Sequence, residues 1–134
     1  MMVMKYIKNG SMSKYLKSNY TKLSLEYKLY LLHDIAQGLK DIHNKGFVHK
    51  DLHSGNILNY SDLSCYITDL GLCKPVDDQD GKKIHGVLPY VAPEVLRGKS
   101  YTPSADIYSF GILACEYFLD YRHITIYLMM NFLH

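Results

Sequence analysis

The stretch FVHKDLHSGNIL at residues 47–58 is unusually dense in side chains that can do chemistry. His49, Asp51 and His53 alternate with other positions, and Asn56 follows Asp51 after five residues. Were the run extended, the two imidazoles and the carboxylate would share one face, a donor set that suits zinc or iron. Three ligands on one strand are cramped, however. His33 and His43 fall at other angles of a helical stretch and His85 in a polar loop, so no cage is completed. A purely structural turn would bury this many polar groups without evident partners, which is costly. The third chemistry is phosphoryl transfer, which needs a carboxylate to orient an attacking hydroxyl and oxygen ligands for Mg²⁺. Asp51 can supply the first. Asn56, and Asp69 thirteen residues beyond it, can supply the second. This reading accounts for more of the residues than the other two.

The flanking sequence supplies the elements to hold such a loop. Residues 2–7, MVMKYI, read as a short strand that KNGS breaks. From Ser24 onward, Leu25, Leu29, Leu32, Ile35, Leu39 and Ile42 recur at steps of three and four. That spacing predicts an amphipathic, core-packed helix with Ser24 as N-cap and Gly46 just past its end. CYITDLG at 65–71 reads as a brief strand ending on Asp69 and a turn-making Gly71, and residues 73–86 as an exposed polar loop. A second helix begins at Thr102 and Pro103. Its apolar residues Ile107, Phe110, Ile112, Leu113, Cys115 and Phe118 cover most of the circumference, as in a helix buried on every side.

Composition narrows the function classes. A chain of 134 residues is one domain in size, with 48% hydrophobic and 21% charged residues. A net charge of +2 gives no argument for nucleic acid or an anionic membrane. Cys65, Cys73 and Cys115 are odd in number and form no CxxC pair, which favours a reducing compartment over a disulfide framework or structural zinc. Lys5 and Lys8 interrupt any signal-peptide core near the start. The apolar run ITIYLMMNFL is ten residues, about half of a bilayer span. The expectation is a cytoplasmic protein with neither nucleic-acid nor membrane partners.

HKDLHSGN at 49–56 resembles the protein-kinase catalytic loop H-R-D-L-x-x-x-N, and DLG at 69–71 resembles its D-F-G. APE at 92–94 is similar to the end of the activation segment, and DIYSFG at 106–111 to the buried helix that follows. VMKYIKNGSMSKYL looks like the hinge strand and the next helix. The resemblance runs collinearly from about residue 2 to 118, and DLHSGN points to the tyrosine-kinase-like branch. It implies an α+β fold, mainly helical: a partial protein-kinase-like large lobe with short strands around the catalytic loop. ATP and Mg²⁺ are the implied cofactors. By the same resemblance Asp51 would be the catalytic carboxylate, and Asn56 and Asp69 would hold the metal. His49 would pack beneath the loop with Leu70, and Asp106 would brace the loop from the buried helix. Met4, Lys5 and Ile7 would fall at the gatekeeper and hinge, and Leu58 on the adenine-pocket floor. Tyr90 and Glu94 would close the activation segment.

The departures matter equally. Lys50 stands where most kinases carry Arg, so a phosphate in the activation segment would meet a point charge rather than a fork. His53 stands where Ser/Thr kinases place Lys. No G-x-G-x-x-G occurs, nor a V-A-I-K strand with a Glu-bearing helix. Pairing Lys5 with Glu26 as a substitute fails, because hinge and helix would then share residues. Residues 119–134 carry no resemblance, and the Arg partner of Glu94 would lie in a region the sequence lacks. The sequence therefore predicts a partial kinase domain at 1–118, from hinge to buried helix, with 119–134 apart. The ancestral activity would be ATP-dependent phosphorylation of protein Ser/Thr or Tyr, weak or absent in these 134 residues alone. Two alternatives stand beside it: a non-catalytic binding module or decoy docking on a full-length kinase, and a small-molecule phosphotransferase of the aminoglycoside or choline kinase type. Missing flanks would leave apolar surface open to self-association. Between Asp69 and Glu94 the only hydroxyl residue is Tyr90. The segment is therefore expected to be ordered by packing of Val87, Leu88 and Pro89 on the 103–118 helix.

Overall fold

A computed structural model describes residues 10–12, 14–15, 23–61, 64–76, 84 and 86–118. The expected N-terminal strand with Met4, Lys5 and Ile7, most of the polar loop at 73–86, and segment 119–134 lie outside the described residues.

The long helix α1 runs Leu25–Asn44, capped by Ser24, whose hydroxyl oxygen accepts from the Tyr27 amide. It ends where Gly46 takes φ +78, a left-handed turn that glycine enters without steric cost. The predicted stripe is displaced. Leu31, Ile35 and Leu39 are buried, whereas Leu25 and Leu29 are 63% and 54% exposed. At 100° per residue Leu29 lies about 120° round the helix from Ile35, too far to share its face. Steps of three and four had concealed that drift.

Two short antiparallel pairs follow. β1 (Phe47–Val48) pairs with β4 (Lys74–Pro75), and β2 (Ile57–Ser61) with β3 (Ser64–Ile67). The β1–β4 pair holds one end of the nominal 73–86 loop as strand, with the Val76 amide bonded to the Gly46 carbonyl. Single-turn 3₁₀ helices occupy Ser54–Asn56, Leu70–Leu72 and Leu88–Tyr90. The one-turn helix α2 (Pro93–Leu96) and the helix α3 (Pro103–Phe118) complete the order.

Among the described residues the core has two parts. In the larger, Leu31, Ile35 and Leu39 of α1 meet Leu52, Ile57, Leu113 and Tyr117. In the smaller, Val91, Ala92 and Val95 close on Ala105. α3 is not buried all round: Ala105, Asp106, Ser109, Leu113, Glu116 and Tyr117 face inward, while Ile107 and Phe118 are exposed. Three of those six inward residues are polar, which placed them outside any apolar stripe. Asp106 and Glu116 face the loop at 49–56, and Ser109 faces the Tyr90 carbonyl.

Candidate active site

Asp106 sits 1% exposed on the first turn of α3, and its carboxylate organises the loop. Oδ2 accepts from the His49 amide at 2.7 Å, and Oδ1 from the Lys50 amide at 3.0 Å. His43, from the last turn of α1, brings Nε2 within 2.8 Å of Oδ2. Two elements, α1 and the loop, thus converge on one buried carboxylate carried by a third, and its oxygens are met by hydrogen bonds rather than left bare. Lys50 is held with φ 72, a left-handed backbone that long side chains rarely adopt. Its ammonium lies over the Tyr101 ring at 5.6 Å.

His49 is fully buried and both ring nitrogens are engaged. The Asp51 amide donates to Nδ1 at 3.1 Å, which leaves the proton on Nε2, 3.1 Å from the Thr68 carbonyl oxygen. His49 therefore has no lone pair for a metal, and the turn at Lys50 breaks the extended strand that a three-ligand face required. Leu70, expected beside His49, is instead 55% exposed.

Asp51 and Asn56 form the centre. The Asn56 amide nitrogen donates to the Asp51 carbonyl at 2.8 Å and to its Oδ2 at 3.1 Å. That use of the nitrogen leaves the Asn56 amide oxygen without a hydrogen bond among the described residues. The Asn56 carbonyl accepts from the Thr68 amide at 2.8 Å, which ties the loop to the residue before Asp69. Asp69 is exposed, has φ 58, and its carboxylate caps no amide. Two oxygen groups without donors among the described residues, one amide and one carboxylate, suit Mg²⁺, which takes one or two protein oxygens and keeps water or phosphate in its other positions.

The far wall comes from the segment before α2. Gly86 has φ +96, and a Cβ there would stand 3.3 Å from Asp51 Oδ1 and 3.2 Å from the Lys50 carbonyl oxygen. Tyr90 is buried, its hydroxyl 3.3 Å from Ser54 Oγ and its carbonyl accepting from Ser109 Oγ at 2.6 Å. Packing on α3 therefore falls to Tyr90, with Pro89 half-buried beside it, and not to Val87 and Leu88, which are exposed. Glu116 lies beneath, hydrogen-bonded to the Ser54 side chain. Its burial pushes the carboxyl up to about 7 against that bond. Glu94 is half-buried and makes no ion pair among the described residues. Leu58 is half-buried on β2, opposite Tyr66 and bridged to Ser11.

The structure thus brings His49, Lys50, Asp51, His53, Asn56 and Asp106 into one cluster, with Tyr90 against it and Asp69 one residue from its edge. Sequence reasoning missed His43, Gly86, Ser109 and Glu116. His43 had a signal: it continues the buried series Leu31, Ile35, Leu39 by one more step of four. The others had none that local spacing could reveal.

Residues 1–132 match the family described as protein tyrosine and serine/threonine kinase. The chain belongs to that kinase family. Kinase relatives include Tyrosine-protein kinase SPK-1 of Girardia tigrina, 31% identical over 121 residues (87% of this chain, 24% of the relative). Serine/threonine/tyrosine-protein kinase HT1 of Arabidopsis thaliana is 34% identical over 116 residues (85% and 30%). Dual serine/threonine and tyrosine protein kinase of Xenopus tropicalis is 43% identical over 93 residues (69% and 10%). The chain spans between 10% and 30% of the length of these three relatives. Among the described residues, no helix is long and apolar enough to cross a membrane.

Proposed function

We propose that the cluster is the catalytic half of an ATP-dependent protein kinase site, carried on a partial kinase domain. Asp51 orients the hydroxyl of a protein Ser, Thr or Tyr and accepts its proton. Asn56 and Asp69 hold Mg²⁺, and Leu58 lies under the adenine. ATP would supply the phosphoryl group, and the metal the charge neutralisation. The observation that carries this reading is the pair of hydrogen bonds from the Asn56 amide nitrogen to the Asp51 carbonyl and carboxylate, which fixes the carboxylate and leaves the amide oxygen free among the described residues. Because catalysis of this kind is mostly positioning and charge neutralisation, 134 residues without a Gly-rich loop or its Lys should transfer phosphate weakly or not at all.

The same residues make nucleotide binding the direct test. Titration calorimetry with ATP should give binding that requires Mg²⁺. Asp69→Ala should weaken it by about tenfold or more, and Asp51→Ala by much less, since only Asp69 is proposed as a metal ligand. Equal losses, or indifference to the metal, would overturn the assignment. A second reading, a module that docks on a full-length kinase without catalysis, is favoured by exposed Leu70, Phe47 and Ile107. It predicts no nucleotide binding at all.

A further inference from the structure

The His53 imidazole is placed by its surroundings in a way that involves Asp51. The Gly55 amide donates to His53 Nδ1 at 3.1 Å, so the ring proton resides on Nε2. Nε2 stands 3.3 Å from Asp51 Oδ1, a close electrostatic contact between two partly covered groups. The Tyr90 ring closes on the imidazole, with centroids 5.8 Å apart and a tilt of 49°. Gly55 is the enabling residue. A Cβ there would stand 2.8 Å from His53 Cε1 and 2.9 Å from Nδ1, closer than real contacts permit. With any side chain at 55, the ring could not keep its place.

We propose that His53 is a positioning residue for Asp51, and that Gly55 is present to let it act. The neutral imidazole offers an N–H beside Oδ1 while Asn56 holds Oδ2, so the carboxylate is oriented from both ends. Proton acceptance from a hydroxyl depends on where those oxygens point, which is why a fixed carboxylate outperforms a rotating one. The backbone turn from His53 to Asn56 and the ring placement are thus one unit. This role rests on the reading of Asp51 as the hydroxyl-orienting group, yet it concerns only the unliganded chain and is tested there.

The test is NMR on the intact chain at about pH 8, above the ordinary imidazole range. Long-range proton–nitrogen correlation should show His53 as the Nε2–H form, distinct from His33, whose side chain is 75% exposed and serves as internal reference. In Gly55→Ala the His53 signature should collapse toward that of His33. The carbon resonance of the Asp51 carboxylate should move in Gly55→Ala and in His53→Leu in the same direction. His53→Gln, which retains an N–H of similar reach, should recover half or more of the shift. A Nδ1–H form in the unmodified protein, or an Asp51 resonance indifferent to all three substitutions, would overturn the proposal. Should Gly55→Ala fail to fold, the Leu and Gln variants at an unaltered backbone decide it. Loss of nucleotide binding would sink the kinase reading while leaving these resonances where they are, so the two failures are separable.

Discussion

The loop at 49–56 and the turn at 69–72 meet through the hydrogen bond from the Thr68 amide to the Asn56 carbonyl, and they are held by opposite means. Each contains one residue with a left-handed backbone, Lys50 and Asp69, the two non-glycine cases among the described residues. Lys50 is buried, its amide fixed by Asp106 and its side chain laid over Tyr101. Asp69 is exposed, with no amide capped by its carboxylate. A strained conformation persists where the surroundings over-determine it. Around Lys50 the surroundings are protein. At Asp69 the proposed partner is a metal that the chain itself does not provide. The group proposed to orient a hydroxyl is thus built into the fold, and the group proposed to receive the metal is left open.

The sharpest way to break that contrast is to remove the anchor. Asp106→Ala strips acceptors from two buried amides, His49 and Lys50, and each such orphan costs about 1–3 kcal/mol. A loss of about 4 kcal/mol in urea denaturation is expected, roughly the sum of two such penalties. His43→Ala, which leaves both amides bonded, should cost about 1–2 kcal/mol. If Asp106→Ala costs no more than His43→Ala, the anchoring account fails.

The next effect lies on the same helix and has a pH signature. The Glu116 carboxyl is raised to about 7 from 4.5 by burial, so the folded state holds its proton more firmly than the unfolded chain does. Between about pH 4.5 and 7 the native state binds more protons, and stability contributed by this group falls as pH rises, levelling off above 7. Glu116→Gln abolishes the dependence. It should match the wild type near pH 4 and exceed it at pH 8 by at most about 3 kcal/mol, the shift taken at full value. Denaturation midpoints at several pH values would show it. An advantage for Gln at low pH, or none at high pH, would contradict the stated cause.

These two residues also mark what was legible in the sequence. The spacing of Asp51, Asn56 and Asp69 could be read because it is local, set by one loop and one hairpin. Helix limits were legible for the same reason, since Ser24, Gly46 and Pro103 act within a turn of themselves. The phase of α1 was not, because three-and-four steps fit two faces, and only β2, β3 and α3 select Leu31 over Leu29. The His43–Asp106 pair spans 63 residues, and Gly86 meets Asp51 across 35, distances at which spacing carries no signal. Polar residues on a helix read as buried by apolarity alone, such as Ser109 and Glu116, were bound to be misjudged. Their reason for burial is what they bond, the Tyr90 carbonyl for Ser109 and the Ser54 side chain for Glu116.

A smaller change probes the join between activation segment and loop. Tyr90→Phe keeps the ring against His53 and removes only the hydroxyl, 3.3 Å from Ser54 Oγ. A neutral hydrogen bond of this kind is worth about 1 kcal/mol, and that loss is expected in urea denaturation. Phosphorylation of Tyr90 would place about two negative charges beside buried Glu116 and Ser54, so incubation with active upstream kinases should leave Tyr90 unmodified while the chain is folded. Stoichiometric phosphate on Tyr90 with a gain in nucleotide affinity would contradict the packing described here.

The smallest stability effect belongs to Asp69, and its smallness is what makes it informative. Asp69→Gly relieves a left-handed backbone at a gain of about 1 kcal/mol, and loosens the unfolded chain at a cost of about the same size. Among the described residues no amide loses a side-chain cap, since the carboxylate provides none. The variant should therefore lie within about 0.5 kcal/mol of the wild type in urea denaturation. Lys50→Gly makes the same backbone change in a buried setting and also removes the stem over Tyr101, so it should be destabilised by about 1–2 kcal/mol. Equal behaviour of the two glycine variants would mean that Asp69 is held by the protein after all. If they separate as expected, the nucleotide titration of Asp69→Gly becomes decisive. A chain of unchanged stability that no longer binds ATP with Mg²⁺ would locate the loss in the missing carboxylate, because nothing in the fold would have moved to explain it.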